Sequence, residues 1–176
     1  SFLKKKNKFK ILNIGRFTDQ KDHHTLLKSA KILKNKYNLN FILLIMGRGK
    51  NEKNIKKFIK KNNLNQNVKI IGFKKNPYKY IKHCNLFVLS SRFEGLPNVL
   101  LEAITLKKFV ISSNCPTGPN EILNYGKGGL LFKTGNENDL ASKIIYYYNN
   151  KKLLNKKINF AYKNLNRFDY VQNLKK

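Results

Sequence analysis

Residues 86–106, LFVLSSRFEGLPNVLLEAITL, hold the pattern that decides the fold. Leu86 to Leu89 is apolar at every position, which reads as a strand buried on both faces rather than one with a wet side. Ser90 to Gly95 interrupts the run with small and polar residues. Pro97 suits the first turn of a helix, where its missing N–H costs nothing. Asn98 to Leu106 then carries apolar residues at helical spacing. The unit is strand, loop, helix.

The same unit recurs outward in both directions. Upstream, Lys10 to Gly15 (KILNIG) is a short apolar run ending in glycine, followed by Leu26, Leu27, Ala30 and Leu33 at helical spacing within His24 to Leu33. A strand near Asn40 to Met46 precedes a helix near Glu52 to Lys61, and a strand at Val68 to Ile71 precedes a short helix near Tyr78 to Lys82. Downstream come a strand at Phe109 to Ser112, a short helix from Pro119, a strand at Leu130 to Phe132, a helix at Asp139 to Tyr148, and helical patterns to the end. Apolar strands alternating with amphipathic helices predict an α/β domain with a doubly wound, Rossmann-like parallel sheet covered on both faces. In such a sheet ligands bind outside the carboxyl ends of the strands. The 176 residues fit one domain of this kind. Residues 1–9 lack periodicity and read as a linker to a preceding partner, 10–160 as the domain, and 161–176 as a C-terminal helix, packed here or crossing to that partner. The longest apolar runs are far below the roughly 20 residues of a membrane span, and Ser1 to Lys10 has no signal-peptide h-region.

Charge excludes less than it suggests. Lysine and arginine number 37 against 9 acidic residues, a formal net charge of +28, a field that draws phosphates, nucleic acid or an anionic membrane surface. All but Arg16, Arg48, Arg92 and Arg167 are lysines, interleaved with Asn and Ile along the whole chain, which is the composition an AT-rich genome writes. So few arginines, and no aromatic RNP-like run, argue against a specific nucleic-acid reader. Cys84 and Cys115 form no CxxC pair and read as reduced thiols of a cytoplasmic protein. Three histidines, two distant cysteines and no D-x-D pair offer poor metal ligation, and Glu137-Asn138-Asp139 falls at a helix start, where capping explains it. The first strand lacks the G-x-G-x-x-G of a dinucleotide oxidoreductase.

The loop after Leu89 is where chemistry is expected. Gly95 lets backbone approach a ligand closely. The free N–H groups around Leu96 to Val99, with the positive end of the helix dipole, make an anion site. Asp19, Asp22, Glu52, Glu121, Glu137 and Asp139 lie at predicted helix starts and are explained by capping, and His23 and His24 by capping or packing there. Glu94 and Glu102 are not so explained. They bracket the anion site, placed to accept hydrogen bonds from hydroxyls on either side of a bound phosphate, the layout of a nucleotide sugar.

Glu94 and Glu102 in EGLPNVLLE match the E-x(7)-E motif of retaining glycosyltransferases of the GT-B fold, and the surrounding chain resembles the nucleotide-binding half of family 4. Further matches fall in order: Gly15-Arg16 with Lys21 resembles the G-R-x(4)-K loop, Gly47-Arg48-Gly49 the G-x-G loop, Val68 to Gly72 the V-x-F-L-G strand, and Gly126 to Leu131 the late G-x-x-G loop. The resemblance implies a donor site for a UDP-sugar, with UDP-hexose or UDP-N-acetylhexosamine expected and no metal or other cofactor. It puts Arg16 and Lys21 on the diphosphate, Gly95, Leu96, Pro97, Asn98 and Val99 on the phosphates through backbone, Glu94 on the donor sugar as the catalytic carboxylate, Glu102 on the ribose diol, and Gly72 and Phe73 beside the base. Cys115 to Glu121 (CPTGPNE) departs from the commoner G-G-x-P-E loop and resembles the version in members that transfer N-acetylhexosamines. By the same resemblance the acceptor, a glycan or lipid-linked glycan, sits on an N-terminal domain outside this stretch, at the cytoplasmic face of a membrane. Peripheral membrane contact stays open beside a fully soluble state, as does a non-catalytic sugar-nucleotide module beside an enzyme.

Overall fold

The computed structural model describes residues 2–3 and 7–168. Six strands, β1 (Phe9–Ile14), β2 (Phe41–Met46), β3 (Val68–Ile71), β4 (Leu86–Leu89), β5 (Val110–Ser113) and β6 (Leu130–Phe132), form one sheet in the order β3-β2-β1-β4-β5-β6, every neighbouring pair parallel. Seven α-helices connect and flank them: α1 (His23–Asn35), α2 (Glu52–Lys61), α3 (Tyr78–His83), α4 (Asn98–Thr105), α5 (Pro119–Ile122), α6 (Glu137–Asn149) and α7 (Lys151–Lys163). The elements follow the expected ones in kind and order, with ends moved by one or two residues, as fraying ends do. The last described turn, Leu165–Phe168, is a 3-10 helix rather than a continuation of α7, and the remainder of the expected 161–176 helix lies outside the described residues.

Side-chain alternation explains why both faces are covered. In β2, Phe41, Leu43 and Ile45 enter the core shared with α1, α2 and α6, while Ile42, Leu44 and Met46 enter the core shared with α3, α4 and α7. All six residues of β2 are buried, as an inner parallel strand requires. Tyr147 of α6 lies flat on Phe109, with ring centroids 4.0 Å apart, and its hydroxyl donates to the Asn85 carbonyl at 3.2 Å. Phe2 is buried in the second core and Leu3 packs on it, so this part of the sequence ahead of β1 is anchored to the sheet by its apolar side chains.

The strand order reverses between β1 and β4. Their pairing spans only Ile11↔Leu86 and Leu12↔Phe87, and beyond it the buried Asn13 side-chain amide donates to the Val88 carbonyl at 2.9 Å. Chain connections leave in opposite directions on either side of this point, which opens a crevice at the carboxyl end of the sheet.

Candidate functional site

The crevice is walled by the loops after β1 and β4, and hydrogen bonds stitch these loops together. Arg92 N–H donates to the Gln20 carbonyl at 2.8 Å, the Gln20 side-chain amide to the Phe93 carbonyl at 3.1 Å, and Ser90 Oγ to the Lys21 carbonyl at 2.8 Å. Ser113, at the end of β5, donates through Oγ to the Ser91 carbonyl at 2.6 Å, and Thr117 Oγ1 donates to the Glu94 carbonyl. Three consecutive sheet loops thus fix the backbone around Glu94. The close approach extends to glycine: Gly118 sits at φ 69°, and a Cβ there would run into the Gly95 carbonyl oxygen. Gly47 and Gly49 likewise leave no room for a Cβ against the backbone of Gly15 and Phe17.

Glu94 is nearly buried, at 9% exposure. Its Oε1 accepts from Lys21 Nζ at 2.5 Å and from Ser91 Oγ at 2.6 Å. Both bonds land on one oxygen, so Oε2 retains its lone pairs for another donor. A cleft of about 690 Å³ opens here, lined by Arg16, Lys21, Glu94, Leu96, Pro97, Asn98, Val99 and Glu102 among others. At its floor α4 begins after Pro97 with no side-chain cap, leaving the Asn98 and Val99 N–H groups without intrahelical acceptors. Glu102 lies one turn further along α4, and partial burial raises its carboxyl above the usual carboxylate range. The Arg16 guanidinium, exposed at the rim, makes no side-chain hydrogen bond or ion pair among the described residues.

Of the residues singled out in the sequence, these eight and Phe73 come together, whereas Gly72 and Gly95 do not line the cleft; each has open space where a Cβ would stand. The cleft also holds Arg48, Lys74, Lys75 and Tyr78, to which the sequence reading gave no role. Arg48 stacks on the exposed Phe73 ring, Cζ 5.5 Å from its centroid. Arg48 sits in the quoted G-x-G loop, and its being one of only four arginines was a usable signal.

Asp22 goes further than the capping expected of it. It accepts from Thr25 N–H at 3.2 Å and Thr25 Oγ1 at 2.8 Å, capping α1, and also pairs with Arg92 of the β4 loop at 3.2 Å while itself buried. Asp22→Ala should cost about 2 kcal/mol of folding stability, the loss of a cap and a half-exposed ion pair, read by urea unfolding at neutral pH. At α6 the cap is Asn136, which accepts from Asp139 N–H at 2.9 Å, whereas Glu137 pairs with Lys28 at 3.3 Å.

His23 packs edge-on to Phe17, ring centroids 5.2 Å apart, and neither ring nitrogen has a partner. Burial pushes its pKa down to about 4 from 6.5, against the opposing charge of Asp22. Between those values the unfolded chain binds more protons than the folded one, so stability is full above about pH 6.5 and falls as the solution is acidified toward pH 4. The loss amounts to about 3 kcal/mol at most. His23→Leu should flatten that part of the stability profile measured by urea unfolding.

Among the described residues, no group of three or more His, Cys, Asp or Glu side chains is placed to hold a metal, and no helix is long and apolar enough to cross a membrane. The model of the family described as glycosyl transferases group 1 matches residues 1–164. An uncharacterized glycosyltransferase of Methanocaldococcus jannaschii is 43% identical over 141 residues, 73% of this chain and 34% of the relative. The Campylobacter jejuni N-acetylgalactosamine-N,N'-diacetylbacillosaminyl-diphospho-undecaprenol 4-alpha-N-acetylgalactosaminyltransferase is 33% identical over 159 residues, 90% of this chain and 41% of that protein. A variant of TarM from Staphylococcus aureus, solved with fondaparinux, alpha-GlcNAc-glycerol and UDP, superposes with a TM-score of 0.83 at 28% identity, covering 90% of this chain and 32% of that one. The chain spans between a third and a half of the length of these curated relatives.

Proposed function

The chain belongs to the glycosyl transferases group 1 family, and on that premise we propose that it is the donor-binding half of a retaining, metal-independent glycosyltransferase using a UDP-hexose or UDP-N-acetylhexosamine. One observation carries the reading: a single cleft holds two free anion-binding elements, Arg16 and the uncapped start of α4, together with two carboxylates, Glu94 and Glu102. That set of groups suits a sugar, a diphosphate and a ribose. The diphosphate gathers charge as it leaves. Arg16, Lys21 and the Asn98 and Val99 N–H groups supply fixed positive charge for it without a metal. Phe73 and Arg48 present a stacking face at the cleft mouth for the base.

Calorimetric titration of the chain with UDP in excess EDTA tests this. Binding that appears only after a divalent ion is added would overturn the metal-free donor site. Two relatives named above carry UDP or act on a diphospho-undecaprenol glycan, which supports a UDP donor and a lipid-linked or other glycan acceptor held by an N-terminal domain outside this chain. The chain alone should therefore bind donor and transfer nothing. The same acceptor chemistry supports peripheral contact with the cytoplasmic face of a membrane, each lysine near anionic lipid contributing about 1 kcal/mol. Flotation of the full-length enzyme with phosphatidylserine vesicles, lost at high salt, is the expected result, and no flotation at low salt would remove this part.

A further inference from the structure

Glu94 has two side-chain partners among the described residues, and they are not equally free to stay. Lys21 Nζ and Ser91 Oγ both donate to Oε1, at 2.5 and 2.6 Å. Lys21 also lines the cleft, where the diphosphate of the proposed donor would compete for its charge. Ser91 is fully buried, at 0% exposure, and does not line the cleft, so a ligand there cannot draw its hydroxyl away. Once a donor takes Lys21, Ser91 is the side-chain partner that Glu94 keeps.

Glu94 needs such a partner because its surroundings restrain it little. A glutamate side chain has wide rotamer freedom to lose, and the next residue is Gly95, with open space where a Cβ would stand. The main chain is held from β5 and the loop after it. Ser113 Oγ donates to the Ser91 carbonyl at 2.6 Å, and Thr117 Oγ1 donates to the Glu94 carbonyl, so both ends of the stretch from Ser91 to Glu94 are fixed. The Ser91 hydroxyl then fixes the side chain. Its neighbour shows the ordinary use of a buried serine: Ser90, equally buried, donates to the Lys21 backbone carbonyl at 2.8 Å. Ser91 instead directs its one proton to a carboxylate, a stronger, charge-assisted bond. Resting on the donor reading, we propose that Ser91 is a positioning residue for Glu94: it holds Oε1 and leaves Oε2 for the donor sugar while Lys21 serves the diphosphate.

Ser91→Ala removes the hydroxyl alone, because Ser113 bonds the backbone at this position and that bond survives. In the full-length enzyme, UDP release from UDP-glucose, UDP-galactose, UDP-N-acetylglucosamine and UDP-N-acetylgalactosamine identifies the donor turned over fastest. For that donor kcat should fall about tenfold in Ser91→Ala, the worth of one hydrogen bond to a charged group. Its KM, and the Kd for UDP by calorimetry, should stay within about twofold, since Arg16, Lys21 and the start of α4 are untouched. A residue that acts through the Glu94 charge has little left to do once that charge is gone. Adding Ser91→Ala to Glu94→Gln should therefore lower kcat by less than about twofold more, whereas a purely structural serine costs the same in both backgrounds. Equal losses in the two backgrounds, or a loss confined to KM, overturn the proposal. Slow Glu94→Gln beside unimpaired Ser91→Ala overturns it and leaves the donor reading standing, while Glu94→Gln at wild-type turnover overturns it together with the role of Glu94.

Discussion

Replacing Arg16 and Lys21 together by alanine should weaken UDP binding about 10³-fold, because in the proposed donor site each would supply a charge-assisted hydrogen bond worth roughly 1.5 to 3 kcal/mol. The two cations start from different states. Arg16 is exposed and without a side-chain partner among the described residues, so its whole interaction is gained on binding. Lys21 begins 2.5 Å from Glu94, with only 15% of its side chain exposed, and must share or surrender that contact to reach a phosphate. Arg16→Ala alone should therefore cost more affinity than Lys21→Ala alone. Lys21→Ala also strands the Glu94 carboxylate with Ser91 as its remaining partner, and leaving a nearly buried charge unpaired is destabilising. Calorimetry gives the affinities, and thermal unfolding separates the stability component. UDP affinity surviving the double substitution would remove both residues from the site. The same variants should flatten the salt dependence of UDP binding, since fewer fixed cations then face the diphosphate.

How much of this was readable before the structure depends on the kind of interaction. Strands such as Phe41 to Met46 are legible because an unbroken apolar run between helical patterns has few other uses. The cleft was legible where backbone geometry and charge lie within one loop: Glu94, Pro97 and Glu102 share a single strand-to-helix unit, so their spacing survives in one dimension. The partners that fix Glu94 come from three separate loops, and nothing in the spacing of Lys21, Ser91 and Thr117 places the first two on its carboxylate and the third on its backbone carbonyl. Thr117 is the sharper case. It stands in CPTGPNE, where the chain departs from the commoner G-G-x-P-E form, and the structure puts that departure to use: the hydroxyl bonds the Glu94 carbonyl while Gly118 lets the loop close on Gly95. Asp22 was read as a cap and is one, but its second bond, to Arg92 across 70 positions of sequence, is visible only once β1 and β4 are known to be neighbours. Linker character was assigned to residues 1–9 because they lack periodicity. Burial of Phe2 needs no periodicity, only a groove of matching shape.

Glu94→Gln in the full-length enzyme should lower kcat about 10²-fold, the scale seen when one preorganised electrostatic contact is removed from a transition state, with a smaller change in donor KM. The asymmetry follows from the geometry of the side chain. Gln keeps a carbonyl oxygen for Ser91 Oγ and nearly the same volume in a site with 9% exposure, so the three-loop framework around it persists. What is lost is the negative charge. In the resting cleft that charge holds Lys21, and Oε2 stays available for a donor hydroxyl. In the proposed reaction the leaving diphosphate would draw Lys21 toward it as its charge develops, and the sugar centre that turns positive would face Glu94. A carboxylate placed there would stabilise charge that appears only in the transition state, whereas an amide presents an opposed dipole. Gln also frees Lys21, so UDP affinity should hold or rise while turnover falls. Steady-state kinetics with a matched UDP titration separates the two quantities, and a variant that loses affinity and kcat in equal measure would make Glu94 a structural support rather than the catalytic carboxylate.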